Sequence, residues 1–158
     1  MLDSKTLRLI IKSIFNIDDD YIVPITSNWF VPDVNLDTNP GTYIGYRIMS
    51  KRNVFAETSN NNLKIDSIKV CFRLTFIGSD AEQLADQIYF WKDHKTVKKI
   101  FDSYKLRFNY SDMVSFSYPI KFKNFDVSWI FDLSVFSDYL EDLKIQYPNK
   151  RLKKLLNQ

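Results

Sequence analysis

Between Ile68 and Phe76 the chain alternates without a break, with Ile68, Val70, Phe72, Leu74 and Phe76 apolar and Lys69, Cys71, Arg73 and Thr75 between them. A period of two places one set of side chains on a single face, so this pattern predicts a half-buried strand. The β pattern extends over Leu63 to Ile77, and a second one precedes it from Tyr43 to about Phe55. The link Thr58-Ser59-Asn60-Asn61-Asn62 suits a turn, because Asn tolerates left-handed backbone angles. The pair reads as one long antiparallel hairpin with a polar tip. A compact domain has little use for such an arm, whereas an assembling one does. Alternation returns at Leu106, Phe108 and Tyr110, and again at Val114, Phe116 and Tyr118 up to Pro119. It is strongest in Phe125, Val127, Trp129, Phe131, Leu133 and Val135, which predict a long closing strand.

Helical spacing appears in three places. Leu7, Ile10, Ile11 and Ile14 define a first helix, capped by Asp3 or Ser4 and stopped by the Asp18-Asp19-Asp20 turn. After Gly78, the Ser79–Glu82 pair has capping-box spacing, and Ala81, Leu84, Ala85 and Ile88 form an inner face that Trp91 closes. Val97, Ile100 and Phe101 mark a further helix over about Thr96 to Tyr104. Prolines 24, 32 and 40 break the region from Tyr21 to Gly41 into a meandering loop with one short strand near Trp29-Phe30-Val31. The chain, 1–158, is expected to be one domain: an N-terminal helix in 1–17, the hairpin in 42–77, helices in 79–104, closing strands in 105–136 and a C-terminal extension in 137–158. This order predicts an α+β fold, a mostly antiparallel twisted sheet with a long β-hairpin, packed by an N-terminal helix and two central helices.

Composition changes the picture in three respects. Thirteen Phe, nine Tyr and three Trp against three Gly are an aromatic excess, which suits a sheet-rich core or a protein interface. A single cysteine, Cys71, excludes an intramolecular disulfide and the multi-cysteine metal sites, and a single histidine, His94, closes most histidine-based metal and triad arrangements. They favour a reducing, cytoplasmic setting. Met1 to Lys5 does not read as a secretory leader, and no run reaches the ~18 apolar residues of a membrane span. The net charge of +3 is mild, but after Asp142 no acid follows, while Lys144, Lys150, Arg151, Lys153 and Lys154 do. That basic terminus is a candidate for facing DNA or an acidic partner.

The candidate chemistry is sparse. His94 lies in a charged connection without a paired Ser or Cys nucleophile, and reads as exposed surface. Cys71 sits in an alternating strand and reads as inert packing. Asp18-Asp19-Asp20 lacks the glycine and terminal glutamate of a calcium loop. Gly78 lacks the Lys-Ser/Thr that completes a phosphate loop, and a strand-to-helix turn accounts for it. No catalytic set, metal site or cofactor is expected.

The segment from Ile68 to Val135 carries an ordered set of features. A strand ends in Phe76-Ile77-Gly78, and Asp80-Ala81-Glu82 with Leu84-Ala85 opens a helix at once. Trp91, a helical piece over Val97 to Phe101, a strand centred on Leu106 and a final strand with Trp129 follow, while Pro40-Gly41-Thr42-Tyr43 leads into the first long strand. This set resembles the neck and tail terminator proteins of tailed bacteriophages over about residues 40–136. Phe76, Gly78, Ala81, Glu82, Ala85 and Trp129 are the marker residues. That family often has an arginine in the final strand, where Ser128, Ile130 and Asp132 stand here.

The resemblance implies a non-enzymatic virion subunit of the neck or tail, assembled in the host cytoplasm. It would form a homo-oligomeric ring, commonly a hexamer, that caps the tail tube and joins it to the head connector or adaptor proteins while DNA passes through. On that reading Phe55, Thr58, Asn60, Asn61, Asn62 and Leu63 form an interface arm. Lys150, Arg151, Lys153 and Lys154 face the DNA channel or a partner, contact with DNA is non-specific, and no membrane is involved. The alternatives are another neck or head-completion adaptor, or a nucleic-acid-binding α+β protein. A Mg²⁺-dependent nuclease would need clustered carboxylates, which the sequence does not display.

Overall fold

A computed structural model describes residues 2–26, 34, 36, 41–57, 63–108, 114–116, 120–122 and 125–138. Helix α1, Ser4–Phe15, begins where the Asp3 carboxylate accepts the Thr6 amide at 2.7 Å and ends at Asn16 in a left-handed conformation. It buries Leu7, Ile10, Ile11 and Phe15. The three aspartates after it enter a short 3-10 turn, Asp19–Tyr21, where Asp19 pairs with Lys12 at 2.8 Å on the surface. Strand β1, Ile22–Pro24, follows and pairs in parallel with the start of β2. The strand expected near Trp29-Phe30-Val31 lies outside the described residues.

The long hairpin is present. Strands β2, Tyr43–Glu57, and β3, Leu63–Ile77, pair antiparallel along their length, with irregularities between Ile48 and Ser50 and between Val54 and Phe55. Ile68, Val70, Phe72, Leu74 and Phe76 are all buried, as their alternation requires. Helix α2, Ala81–Asp86, runs into a 3-10 stretch, Gln87–Asp93, and helix α3, Lys95–Ser103, follows. Three-residue strands β4, Leu106–Phe108, β5, Val114–Phe116, and β6, Ile120–Phe122, precede β7, Phe125–Asp138. The fold is α+β, and every strand pair except β1 with β2 is antiparallel among the described residues.

Strand β7 is the spine of the sheet. It pairs with β3 on one side and with β4, β5 and β6 on the other. These three strands form one interrupted edge, because their partners descend β7 from Ser137 to Phe125. Between β4 and β5 the chain spends residues 109–113, while only Leu133 and Ser134 separate their partners on β7. Strand β6 was not anticipated, since the expected alternation ended at Pro119.

The helices cover one face of the sheet. Their apolar side chains join Ile44, Phe72, Leu74, Phe76, Phe131 and Leu133 in the main core. A path of ring contacts crosses it: Phe101, Trp91, Phe15, Phe76, Phe131 and Tyr89 touch in turn with centroids 5.6–5.9 Å apart. Much of the aromatic excess is therefore core packing. A smaller cluster of Val34, Leu36, Tyr43 and Ile77 lies apart from it.

Two glycines fix the corner at the base of the hairpin, the end opposite its tip. Gly41, before β2, and Gly78, after β3, have φ of +154° and +122°. A Cβ on Gly78 would run into the Gly41 carbonyl, so the two chain segments approach to a distance that only glycine permits. The Asp80 amide then donates to Thr42 Oγ1 at 2.8 Å. This contact corrects the expected Ser79–Glu82 capping box. Asp80 holds the cap position without a side-chain cap bond, and Ser79 and Glu82 are exposed. Thr42, from a distant part of the chain, supplies the acceptor instead.

Candidate interaction surface

The singular chemical residues are placed apart. His94 is exposed and caps α3, its Nδ1 accepting the Val97 amide at 3.4 Å. Cys71 is half-buried on β3, and burial pushes its thiol pKa up, against an opposing hydrogen bond with Ser134. Among the described residues no group of three or more His, Cys, Asp or Glu could hold a metal ion. No helix among them is long and apolar enough to cross a membrane.

What the fold builds is an arm with an open edge. Pairing of β3 with β7 starts at Ser67 opposite Asp138, so among the described residues Leu63, Lys64 and Ile65 pair with β2 alone. At ~3.3 Å per residue, the four residues 63–66 run roughly 13 Å past the last described pair of β3 with β7. On the other side of β2, pairing with β1 stops at Tyr46, where the Ile25 amide donates to the Tyr46 carbonyl at 2.9 Å. From Arg47 to Glu57, the outer edge of β2 has no strand neighbour among the described residues. Such an edge is a template for pairing with another chain, and charged side chains normally guard it. Here Lys51 and Arg52 are exposed beside Met49 and Phe55, the latter 54% accessible.

A second feature lies in the helical layer. Ile14 of α1, Phe90 and Trp91 of the 3-10 stretch, and Val97 and Ile100 of α3 line a mostly apolar groove of about 280 Å³, with Gln87 at its side. Phe90 is 66% accessible. Apart from this lining, Asp80, Glu82, Asp86 and Asp93 are all exposed, and the sequence has no Lys or Arg between Arg73 and Lys92. Lys95, Lys98 and Lys99 of α3 are exposed as well.

The third feature is a cross-strand row on the sheet face away from the helices. Register places Arg52 opposite Lys69, Lys69 opposite Phe136, and Phe136 opposite Arg107. Two rows along, past Ser50, Cys71 and Ser134, Arg47 faces Arg73, and Arg73 faces Asp132.

The expected site residues divide accordingly. Phe55 and Leu63 lie on the arm, whereas Thr58, Asn60, Asn61 and Asn62, and the basic group Lys150, Arg151, Lys153 and Lys154, lie outside the described residues. Phe76, Ala81 and Ala85 meet in the main core, and Trp129 is opposite Phe76 in register. Gly78 joins Gly41 at the corner, and Glu82 stands apart from all of them on the surface. The groove and the cationic row were not read from the sequence. Phe90 gave one signal, since it falls off the Leu84–Ile88–Trp91 stripe.

The class these features define is an α+β domain with a sheet covered on one face by helices and a long hairpin whose outer edge has no strand neighbour among the described residues. No family model matches the chain, and no curated protein does.

Proposed function

We propose that this protein is a non-enzymatic structural subunit of a phage neck, a tail terminator that forms a ring, caps the tail tube and joins it to the head connector. The observation that carries the reading is the β2–β3 arm with its open outer edge, which exposes Phe55 and Met49. Exposed apolar side chains beside unpaired backbone groups are what a neighbouring subunit covers. The resemblance over residues 40–136 supplies the kind of assembly. Head-to-tail contact generates a closed ring when the rotation closes. Light scattering of the purified chain over a range of concentration and salt tests the reading. A salt-resistant species near six times 18.8 kDa is expected. Deleting Thr58 to Asn62 should weaken that species without lowering the melting temperature, and equal loss of both would count against the arm.

A second reading, a nucleic-acid-binding α+β protein, is favoured by the alignment of Arg52, Lys69 and Arg107 across the sheet. Binding of single-stranded DNA by a monomer or dimer, falling steeply with added salt, would select it.

A further inference from the structure

We infer that the cross-strand row of Arg52, Lys69, Phe136 and Arg107 is a track for single-stranded nucleic acid, in which the cations hold phosphates and the Phe136 ring stacks on a base. This rests on the nucleic-acid reading, names the contacts behind it, and does not depend on a ring. Two observations carry it. First, the four residues come from β2, β3, β7 and β4 in turn, and register sets each opposite the next. Neighbouring strands lie ~4.8 Å apart, so the row spans roughly 14 Å. At roughly 3.4 Å or more per nucleotide, that length matches about two to four nucleotides. Arg52 and Arg107 are exposed, and Lys69 is half-buried. Register also sets Arg47 and Arg73 on this face, against Asp132 and Asp138, so cations outnumber acids there.

Second, Phe136 is half-buried and stands between Lys69 and Arg107. Its neighbour Val135 is in the main core, so by alternation Phe136 is on the face away from the helices. An acidic peptide would engage the cations but give the ring no flat partner. A nucleotide engages both, because every base has a face that can stack. In a duplex those faces are shut inside the stack, so the ligand is a single strand. Contacts to phosphates and to a base face carry no sequence information, so the track tolerates any sequence.

Phosphate contacts and stacking leave different signatures. The probe is an oligothymidine of about twelve nucleotides, within the range of known single-strand site sizes. Its affinity for the purified chain, followed by fluorescence anisotropy, should fall with a slope of log K against log salt near about −2, from three phosphates at ~0.7 each. Arg52→Gln and Arg107→Gln should each take about 0.7 off that slope. Phe136→Leu should leave the slope unchanged and weaken binding roughly tenfold, while Phe136→Trp should bind at least as tightly as wild type. All these variants should keep the wild-type melting temperature.

An oligothymidine carrying iodouracil gives an independent readout, since irradiation should cross-link it to the peptide containing Phe136. If wild type binds but the variants bind equally well, or the cross-links map elsewhere, the row is not the track and the nucleic-acid reading stands. If wild type does not bind the oligothymidine even at low salt, that reading and this inference fall together. If polyglutamate competes as well as the oligothymidine does, the row is a surface for acidic peptides and the track is overturned.

Discussion

Arg73 on β3 and Asp132 on β7 face each other in register and form a two-pronged ion pair, Nε to Oδ1 at 2.7 Å and Nη2 to Oδ2 at 2.8 Å. Their side chains are only 15% and 18% accessible. Arg47 lies on the other side of Arg73 in the same row, so Asp132 also offsets two like charges across adjacent strands.

Removing one member takes two charged hydrogen bonds from the other. Asp132→Leu should lower stability by about 2–3 kcal/mol in urea unfolding, since a largely buried cation loses its two-pronged carboxylate contact. The double variant Arg73→Met/Asp132→Leu should recover part of that loss, because the two charges of the pair leave together while Arg47 stays one strand away. Additive losses would show that the pair is not coupled.

Gly78→Ala tests the corner. With φ at +122° and the Gly41 carbonyl in the way of a Cβ, the substitution should cost about 2 kcal/mol or more. A melting temperature equal to wild type would show that the two segments separate easily.

The Asp3 cap has a pH signature. The Thr6 amide holds the Asp3 carboxyl below its usual value, with Lys51 adding a smaller pull in the same direction and burial opposing both. The folded pKa lies below the unfolded one, so the stabilisation is complete above the unfolded value near 3.8 and is lost as pH falls through the folded value. Asp3→Ala should cost about 1 kcal/mol at pH 7 and progressively less below pH ~4. A penalty that stays constant into acid would mean that the carboxylate charge is not involved.

Cys71 should be slow. Burial raises its thiol pKa, so less thiolate is present at pH 8 than in the unfolded chain. Maleimide labelling of the native protein should lag behind labelling in urea, and equal rates would contradict the half-buried placement.

The long elements were legible because their patterns are long. Ile68 to Phe76 and the α1 stripe each repeat often enough to fix both period and buried face. Strands β1 and β6 have three residues each, too few for a period to register, while β4 and β5 begin the alternations at Leu106 and Val114. The cap of α2 misled because local spacing favoured Ser79 and Glu82, while the bond that formed came from Thr42, 38 residues away. Phe55 and Leu63 could be assigned to an arm from the hairpin pattern alone. The groove could not be read, since Ile14, Phe90 and Ile100 come from three separate elements that only tertiary packing unites. The cationic row needs the register of four strands, which no single segment encodes.

The central position of β7 bears on how the chain is made. Translation delivers the β2–β3 hairpin and all three helices before the strand that seals β3, so Val70, Phe72, Leu74 and Phe76 wait for partners more than 50 residues downstream. Until Phe131, Leu133 and Val135 leave the ribosome, the nascent protein holds a sticky, half-built sheet. A message cut short before Phe125 would release that intermediate, and its fate would be aggregation or chaperone capture.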